Sequence, residues 1–381
     1  MTDLFISEME LTNWRNFSSV KISLGDRTFI IGANATGKSN LLDAFRFLRD
    51  VVRSGGGFQE AVRQRGGVSK IRYLNARQNP FVSIRIRVSE FENSDYTWEY
   101  SLRFGVEPRG KRRTYIVQEN LSSPEGEVFS RPNAEDKADP TLLSQTYLEQ
   151  ITQNGKFRPL VEMLEGINYF HLVPQLLRYP EAFSGPDLPN DPFGRGFLTR
   201  IARTPEKKRA TTLRRISRLM SRAVPQLKEL TFEPDEVGHP HLKAIYDHWR
   251  PHAGKQREVD FSDGTLRLIA LLWTIFENQG IVLLEEPELS LNQEIVAKLP
   301  DLFYQIQKNL KRKHQYVVTT HSEALLSDRS IALKEIQMLT PGKEGTLCQA
   351  ALEIPGWKEA LQSGLSPAEI VMEETKPGSS D

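Results

Sequence analysis

The sequence predicts an α/β fold with a mostly parallel central sheet, an antiparallel sheet at its edge and a largely helical insertion. Residues 32–39, GANATGKS, fit the phosphate-binding pattern GxxxxGK[ST] and lie between a short apolar run at 28–31 and a segment with helical spacing. Residues 280–288, GIVLLEEPE, are a continuous apolar run ending in acids, which is typical of a parallel strand buried on both faces. Alternating apolar residues between 82 and 104 predict the antiparallel sheet.

The phosphate loop, residues 32–39, contains the groups needed to hold a polyanion. Its glycines let backbone N–H groups and the following helix N-terminus approach phosphate. Lys38 adds a positive charge toward the β- and γ-phosphates, and the Ser39 hydroxyl is placed to ligate Mg²⁺. A nucleotide and Mg²⁺ are therefore the predicted cofactors. The predicted nucleotide-binding residues are Gly32, Asn34, Ala35, Thr36, Gly37, Lys38, Ser39, Asn40 and, as a less direct candidate, Arg15.

Composition limits the other classes of function. The chain has 381 residues, a formal net charge of +1 and one cysteine, Cys348, which excludes an internal disulfide framework and a cysteine-based zinc site. No signal-peptide layout and no apolar run of membrane-spanning length occur, so we expect a soluble, cytoplasmic protein without a membrane partner. With charges so balanced, any DNA contact has to come from a local patch.

Residues 1–121 are predicted to form an N-terminal lobe around the phosphate loop. Two strands, at 4–11 and 18–24, lead into the loop, and the antiparallel strands continue to about residue 120. Arg15 lies in the turn between the first two strands. It can face the nucleotide, or it can be a solvated turn cation, and the sequence leaves both interpretations open.

Residues 122–255 are predicted to be an inserted, mainly helical arm or lid. The clearest helix, at 206–223, has Leu213, Ile216 and Met220 on one face. Its polar face can follow a DNA backbone or can simply be solvated. That face carries Lys207, Lys208, Arg209, Arg214, Arg215, Arg218 and Arg222. Residues 109–113, RGKRR, are a weaker basic candidate and are more typical of a hairpin tip.

Residues 256–375 are predicted to form a second lobe that carries the chemistry, followed by a disordered tail at 376–381. The carboxyl ends of parallel strands meet at one edge of a sheet, so Glu285 and Glu286 can reach the phosphate loop. Glu285 is predicted to hold Mg²⁺ with Ser39, usually through water, and Glu286 to polarise the attacking water. His321 follows a strand at 315–319 and can sense the γ-phosphate or orient that water. The predicted catalytic residues are Lys38, Glu286 and His321.

A fourth motif, FSDGT at 261–265, precedes an apolar helix at 266–276. Ser or Asp before such a helix is a common N-terminal cap, and the same residues present N–H groups and a hydroxyl to an anion.

Taken together, the phosphate loop, SDGT in the place of the ABC signature, EEPE followed by LSLN, and THS at 320–322 resemble an ABC-type ATPase head. LTNWRNF at 11–17 and the long segment between the two halves resemble the RecF, SMC and OLD branch of that class. Almost the whole chain resembles the bacterial RecF-like AAA ATPases, through the motifs GGGFQEAVRQRGG, HLVPQL, DPFG, FSDGTLRL and LLEEPELSL.

This resemblance implies a homodimer or a higher homo-oligomer of ATPase heads. Lys38 and Ser39 of one copy would face the signature of another copy across ATP, and hydrolysis by Glu286 would release the heads. The signature acting in trans would be Ser262, Asp263, Gly264 and Thr265.

Two residues depart from the family pattern. Glu285 replaces the usual aspartate and is one methylene longer, and Asp263 stands where glycine is common. An acid near the γ-phosphate costs free energy unless it points away or binds a cation or an arginine. We therefore expect a slow, switch-like ATPase. The glutamine-loop residue stays open among Gln59, Gln64 and Gln78.

The resemblance implies two biological roles. One is the ATPase or sensor component of a prokaryotic antiphage defence system, similar to OLD-type systems. About 60 residues follow His321, without the acids of a Toprim nuclease, so we expect no nuclease activity in this chain and a separately encoded nuclease or toxin. The other is a RecF-like DNA-binding ATPase in repair or recombination. An ABC transporter subunit is disfavoured by the long segment between the phosphate loop and the signature.

Overall fold

The computed structural model describes residues 4–55, 57–76, 79–91, 95–107, 112–183, 185, 188, 190–247, 254–309 and 313–374. Gln78, residues 109–111 and the predicted disordered tail at 376–381 lie outside these ranges. Within the described residues, the strands are β1 (Leu4–Trp14), β2 (Phe17–Ser23), β3 (Arg27–Ile31), β4 (Val82–Glu90), β5 (Tyr96–Val106), β6 (Thr114–Ser123), β7 (Gly126–Arg131), β8 (Asn168–Phe170), β9 (Leu227–Pro234), β10 (Pro240–Tyr246), β11 (Lys255–Arg257), β12 (Ile281–Glu285), β13 (Gln315–Thr320), β14 (Ile336–Gly342) and β15 (Gly345–Ala350).

The α-helices in the same ranges include a long helix after the phosphate loop and a buried helix before β12. They are α1 (Lys38–Val51), α2 (Gly57–Gln64), α3 (Val68–Ile71), α4 (Ala134–Ala138), α5 (Arg158–Glu165), α6 (Pro174–Arg178), α7 (Phe197–Arg203), α8 (Glu206–Ala223), α9 (Asp263–Glu277), α10 (Gln293–Val296), α11 (Leu299–Asn309), α12 (Glu323–Leu326), α13 (Trp357–Gln362) and α14 (Pro367–Glu374). Short 3₁₀ turns occur at Pro140–Ser144, Asn154–Phe157, Pro180–Ala182, Glu258–Asp260, Leu333–Glu335 and Ala351–Glu353.

The central sheet has the strand order β15-β14-β3-β13-β12-β8. The pairs from β14 to β8 are parallel, and only β15 is antiparallel. As predicted, β3, β12 and β13 are buried along almost their whole length. Their carboxyl ends meet at one edge of the sheet, where the predicted site residues follow.

The two faces of the central sheet are covered by different helices. Ile281 and Leu283 of β12 pack into the same hydrophobic cluster as α1. Val282 and Leu284 alternate to the opposite face, where they pack with α9. Strand residues alternate between faces, so helices on both faces explain why β12 is apolar without a break.

A second sheet covers the α1 side. It is antiparallel, with the order β2-β1-β4-β5-β6-β7, and its inward residues share the hydrophobic cluster that contains α1. The antiparallel edge sheet was predicted, but its extent was not. The sheet continues through β7 to Arg131, past the predicted lobe boundary at residue 121. The short β7 has no clean apolar alternation, so its sequence carries little strand signal.

The segment at 122–255, predicted to be a mainly helical arm or lid, contains strands as well as helices. Helices α4 to α8 lie in it, but so do β7, β8 of the central sheet, and β9 and β10 of a separate sheet with the order β11-β10-β9. The predicted helix at 206–223 is α8, and its face of Leu213, Ile216 and Met220 is buried in the cluster that contains α9. The segment therefore packs on the central sheet. No helix among the described residues is long and apolar enough to cross a membrane.

Candidate nucleotide site

The phosphate loop lies between β3 and α1, as predicted. Residues 33–35 at its tip are exposed, whereas Gly32, Thr36 and Lys38 are buried. Lys38 Nζ donates hydrogen bonds to the carbonyl oxygens of Gly32 (2.8 Å) and Ala33 (3.1 Å). Its ammonium group therefore lies under the loop, where the β- and γ-phosphates of a bound nucleotide would be placed.

Side chains from the end of β1 and the turn between β1 and β2 form hydrogen bonds with the phosphate loop and the start of α1. Asn16 Nδ2 donates to the Thr36 carbonyl at 2.9 Å, and Asn16 Oδ1 accepts from Asn40 Nδ2 at 2.8 Å. Trp14 Nε1 donates to the Asn40 carbonyl at 2.8 Å. Gly37 has φ of 98°, and a Cβ there would overlap the Asn16 amide. Glycine is thus required both by backbone conformation and by the close approach of Asn16.

Ser39 and Glu285 meet although they are 246 residues apart in the chain. Ser39 Oγ donates to Glu285 Oε1 at 2.5 Å, and Tyr169 Oη on β8 donates to Glu285 Oε2 at 2.6 Å. A serine hydroxyl and a carboxylate that converge on one point fit Mg²⁺, which commonly takes one or two protein oxygens together with phosphates and water. The described residues contain no group of three or more His, Cys, Asp or Glu side chains that could hold a metal alone. The donor set is therefore suited to a metal bound together with a nucleotide.

Glu286 and His321 form the next part of the edge. Glu286 has a positive φ of 45°, and its N–H donates to the Thr319 carbonyl at 3.0 Å. His321 Nδ1 lies 3.2 Å from Glu286 Oε1. Arg267 on α9 donates to the Glu286 carbonyl at 2.9 Å. The backbone is therefore fixed on both sides of a carboxylate that is only partly buried, as a general base beside a nucleotide needs to be.

Glu288 is a buried acid beside this pair. Its Oε1 accepts from Thr320 Oγ1 (2.6 Å) and from the His321 N–H (3.3 Å), while its Oε2 has no hydrogen-bond partner among the described residues. Burial raises the pKa of Glu288. Burial lowers the pKa of Lys38, and the carboxylates of Glu286, Glu288 and Glu285 oppose that shift. Burial also lowers the pKa of Arg267 to about 10.

The signature residues cap α9. Ser262 Oγ accepts from the Thr265 N–H at 3.1 Å and donates to Thr265 Oγ1 at 2.9 Å. Asp263, the unusual acid, has Arg178 Nη2 2.8 Å from its Oδ1. Arg178 on α6 also donates to the Phe261 carbonyl at 2.5 Å. Of the ways to offset this acid, the structure therefore shows pairing with an arginine.

The signature and the phosphate loop lie at the same edge of the central sheet but over opposite faces, because α9 and α1 cover opposite faces. Gly264 lies against the chain turn before α10, and a Cβ at Gly264 would be 2.8 Å from the Ser290 carbonyl oxygen. An open groove of about 610 Å³ lies in front of the signature. It is lined by residues 223–226, residues 262–265, Ser290, Asn292 and Ile295.

Other candidates lie further from the centre of the site. Arg15 Nη2 donates to Asp43 Oδ2 of α1 at 3.0 Å, and its Nη1 donates to the Lys70 carbonyl at 3.1 Å. The structure thus places Arg15 in an ion pair behind the loop, and its contact with ATP stays a prediction. Gln59 Nε2 donates to the Thr114 and Ser144 carbonyls, and Gln64 bonds Glu60. Neither glutamine bonds a predicted site residue.

Sequence reasoning missed four side chains of this site. Tyr169 and Arg178 lie in the segment interpreted as an insertion, and Arg267 reads as one more residue of an apolar helix. Asn16 lies in the motif LTNWRNF at 11–17, which does not by itself show that its side chain contacts the phosphate loop. A usable signal existed for Tyr169 and Arg178, since they flank the motif HLVPQL at 171–176.

The sheet order, the loop between β3 and α1, and the acids and histidine at the same edge define an ABC-type ATPase head of the RecF and SMC kind. The chain belongs to the family described as "AAA domain, putative AbiEii toxin, Type IV TA system", whose sequence model matches residues 27–327. The predicted fold class and the predicted resemblance are both confirmed.

Individual relatives are more distant. A segment of 90 residues is 33% identical to the DNA replication and repair protein RecF of Bacillus cytotoxicus, and it covers 23% of this chain and 24% of RecF. The match thus spans about a quarter of that relative. The fold is similar to an SMC head bound to the C-winged helix domain of ScpA, with 15% identity, a TM-score of 0.52, and 91% and 97% of the two chains covered. It is also similar to the SMC head with an extended coiled coil from Pyrococcus furiosus, with 14% identity, a TM-score of 0.50, and 98% and 100% covered.

Proposed function

We propose that this chain binds ATP with Mg²⁺ and hydrolyses it slowly, as a nucleotide-driven switch. One observation carries the proposal. Ser39 of the phosphate loop contacts Glu285, and the next residue, Glu286, contacts His321. These four side chains come from three separate parts of the chain and meet at one edge of the sheet, in the arrangement that phosphoryl transfer to water needs.

Each residue has a distinct role in this proposal. The N–H groups of residues 32–39 and the Lys38 ammonium hold the phosphates, and Ser39 and Glu285 supply the protein oxygens for Mg²⁺. The metal would neutralise charge on the β- and γ-phosphates. Glu286 accepts a proton from the attacking water, and His321, 3.2 Å away, orients that water or responds to the γ-phosphate.

The active form is a homodimer or higher homo-oligomer of heads in the cytoplasm. The signature residues Ser262 to Thr265 lie over the sheet face opposite α1 and line an open groove, which supports completion of each site by another copy. Arg178 pairs with Asp263, so the acid enters such an interface with part of its charge balanced.

The role we favour is the ATPase or sensor component of an antiphage defence system that controls a separately encoded nuclease or toxin. The support for a defence role is the family description, which names a putative toxin and a Type IV toxin–antitoxin system but no separate effector. The nuclease chemistry is proposed to belong to the partner.

A RecF-like DNA-binding ATPase is the second candidate. Two observations favour it: the RecF match and the solvent-exposed basic face of α8. Six of its seven cations are exposed, namely Lys207, Lys208, Arg214, Arg215, Arg218 and Arg222. Arg209 instead stacks on Phe232, 4.2 Å from the ring centroid.

The central test uses two variants at the site. Lys38→Ala should lose ATP binding. Glu286→Gln should still bind ATP with Mg²⁺ and accumulate as a closed dimer, because hydrolysis no longer releases the heads. Light scattering after gel filtration, with and without ATP, measures this. A Glu286→Gln chain that binds ATP and stays monomeric would contradict the dimeric switch.

The two biological roles separate in a DNA titration. The repair role predicts that duplex DNA raises the ATPase rate, that the effect weakens as salt increases, and that Arg214→Gln with Arg218→Gln removes it. Indifference to DNA at low and high salt would remove the repair role. It would leave the defence role. Co-expression followed by pull-down can then identify the partner.

A further inference from the structure

Both carboxylate oxygens of Glu285 are held in the structure, each by a different hydroxyl. Ser39 Oγ donates to Oε1 at 2.5 Å, and Tyr169 Oη donates to Oε2 at 2.6 Å. Three elements meet at this carboxylate: α1 supplies Ser39, β12 supplies Glu285 and β8 supplies Tyr169. The Ser39 contact belongs to the proposed metal site, but the Tyr169 contact has no part in it so far.

The Tyr169 hydroxyl is fixed by its surroundings. Its strand pairs with β12 in parallel register, with Phe170 opposite Leu284. Tyr169 is therefore opposite Leu283, two residues before Glu285. The residue is 8% exposed. The Arg46 guanidinium of α1 lies over its ring, 4.5 Å from the centroid. A tyrosine hydroxyl is protonated near neutral pH, so Tyr169 is the donor to the Glu285 carboxylate.

We propose that Tyr169 is a positioning residue for the metal: it holds one oxygen of Glu285 and thereby aims the other at the point where Ser39 would share Mg²⁺. This inference rests on the proposed ATP and Mg²⁺ site. A glutamate side chain has one more rotatable bond than an aspartate, and a partly buried hydrogen bond to Oε2 restricts that freedom.

The hydrogen bond also has an electrostatic consequence. A donor on Oε2 withdraws that oxygen from the metal and favours binding through Oε1 alone, next to Ser39. Partners that orient a metal ligand in this way typically change metal affinity by 10–100-fold when they are removed. Because β8 lies within residues 122–255, the segment interpreted as an insertion contributes directly to the geometry of the metal ligand.

The experiment measures binding of a fluorescent, non-hydrolysable ATP analogue, mant-AMPPNP, in EDTA and over a Mg²⁺ series. Tyr169→Phe keeps the ring beneath Arg46 and removes only the hydroxyl. We expect its affinity in EDTA to stay within about twofold of wild type, and the Mg²⁺ concentration for half-maximal enhancement to rise about tenfold.

Tyr100→Phe is the matched control. Tyr100 Oη also donates to a glutamate, Glu119, at 3.1 Å, but it lies in the antiparallel sheet. Removing the Tyr100 hydroxyl should lower the free energy of unfolding without changing the Mg²⁺ midpoint. If Tyr100→Phe moved the midpoint as much as Tyr169→Phe, the effect would be general destabilisation and the inference would fail.

A double-mutant cycle tests the connection to Glu285 itself. In a Glu285→Asp chain the shorter carboxylate cannot bridge Ser39 and Tyr169, so adding Tyr169→Phe should change the Mg²⁺ midpoint by less than about twofold. A full tenfold effect in both backgrounds would overturn the role assigned to the Tyr169–Glu285 contact. An unchanged Mg²⁺ midpoint for Tyr169→Phe would also overturn it, provided that nucleotide binding by the wild-type chain depends on Mg²⁺. A wild-type chain without Mg²⁺-dependent binding would instead remove the proposed function.

Discussion

Two tyrosine–glutamate pairs in this chain show how the same chemistry serves structure in one place and a site in another. Tyr100 donates to Glu119 inside the antiparallel sheet, and Tyr169 donates to Glu285 at the edge of the central sheet. Glu119 is fully buried and is paired with Arg131 at 3.0 Å. Glu285 is partly exposed and makes no ion pair within the described residues. A carboxylate with its own arginine is already satisfied, whereas one without a cation can accept one from solution.

The surroundings extend this contrast. Arg131 is also bonded to Asp136, and its side chain, like those of Glu119 and Asp136, is completely buried. At the edge of the central sheet, by contrast, three acids, Glu285, Glu286 and Glu288, lie around Lys38. Arg267 interacts with two of them, Glu286 and Glu288. An excess of negative over positive side-chain charge is unfavourable when no cation is bound. Sites that bind cations commonly have such an excess.

The largest expected effect tests the satisfied cluster. Arg131→Met leaves Glu119 and Asp136 buried without their cation, and it should lower the free energy of unfolding by about 3–5 kcal/mol. Guanidinium denaturation measures this, and ATP binding by the folded fraction should be unchanged. Arg87→Met, at a half-exposed pair with Glu99, is the control and should cost less than about 1 kcal/mol. Equal losses of unfolding free energy in the two variants would show that the buried ion pairs of Arg131 contribute no more to stability than the half-exposed pair.

The pH dependence of stability isolates Glu119. Burial raises its pKa from about 4.5 to about 7, against the opposing pull of Arg131 and the bonds from Tyr147 and Tyr100. Between these values the folded chain holds a proton that the unfolded chain has released. The stabilisation is therefore complete below about pH 4.5 and is lost as pH rises to 7.

The slope of wild type relative to Glu119→Gln should be negative in that window, on the order of 1 kcal/mol per pH unit at its steepest. Urea denaturation across the window is the measurement, and Glu119→Gln is the comparison. Stability that rises between pH 4.5 and 7 in wild type but not in Glu119→Gln would reverse the assignment.

The third prediction concerns Glu285, the carboxylate without an ion-pair partner among the described residues. Glu285→Gln keeps oxygen and nitrogen atoms within reach of Ser39 and Tyr169 and removes one of three crowded negative charges. Its unfolding free energy should stay within about 1 kcal/mol of wild type, while the Mg²⁺ dependence of nucleotide binding is lost. A loss of stability comparable to that of Arg131→Met would place Glu285 in the same structural class as Glu119.

The smallest expected effect is at the signature. The Arg178–Asp263 pair is partly exposed, so Asp263→Asn should change stability by only a few tenths of a kcal/mol. Removing the acid should nevertheless strengthen ATP-dependent dimerisation a few-fold, because Arg178 is then free to face phosphate. Sedimentation with ATP measures the dimer. Weaker association would mean that the carboxylate itself is needed at the interface.

The local patterns predicted the centre of the fold well. A continuous apolar run identifies β12, the phosphate-loop spacing places α1 at Lys38, and the rule that parallel strands end at one edge brings Glu285, Glu286 and His321 together. These features depend on residues close in the sequence or on a general property of parallel sheets.

The remaining features depend on distant partners. The three residues of β8 are too few to show a period, and β9 to β11 carry mixed polar sequences whose pairing is set by one another. Arg15 could not be assigned from its turn alone because its partner, Asp43, lies on a helix 28 residues later. The partner of Asp263 lies in a different segment in the same way.

The edge position of β8 has a consequence for amide hydrogen exchange. β8 is bonded to β12 on one side only, and it is three residues long, whereas β13 lies between two parallel neighbours and is buried throughout. Short edge strands open at a lower free energy than central ones, so the amides of β8 should exchange long before those of β13. The tyrosine that holds Glu285 therefore belongs to a short edge strand of the sheet, and nucleotide binding should slow amide exchange in that strand.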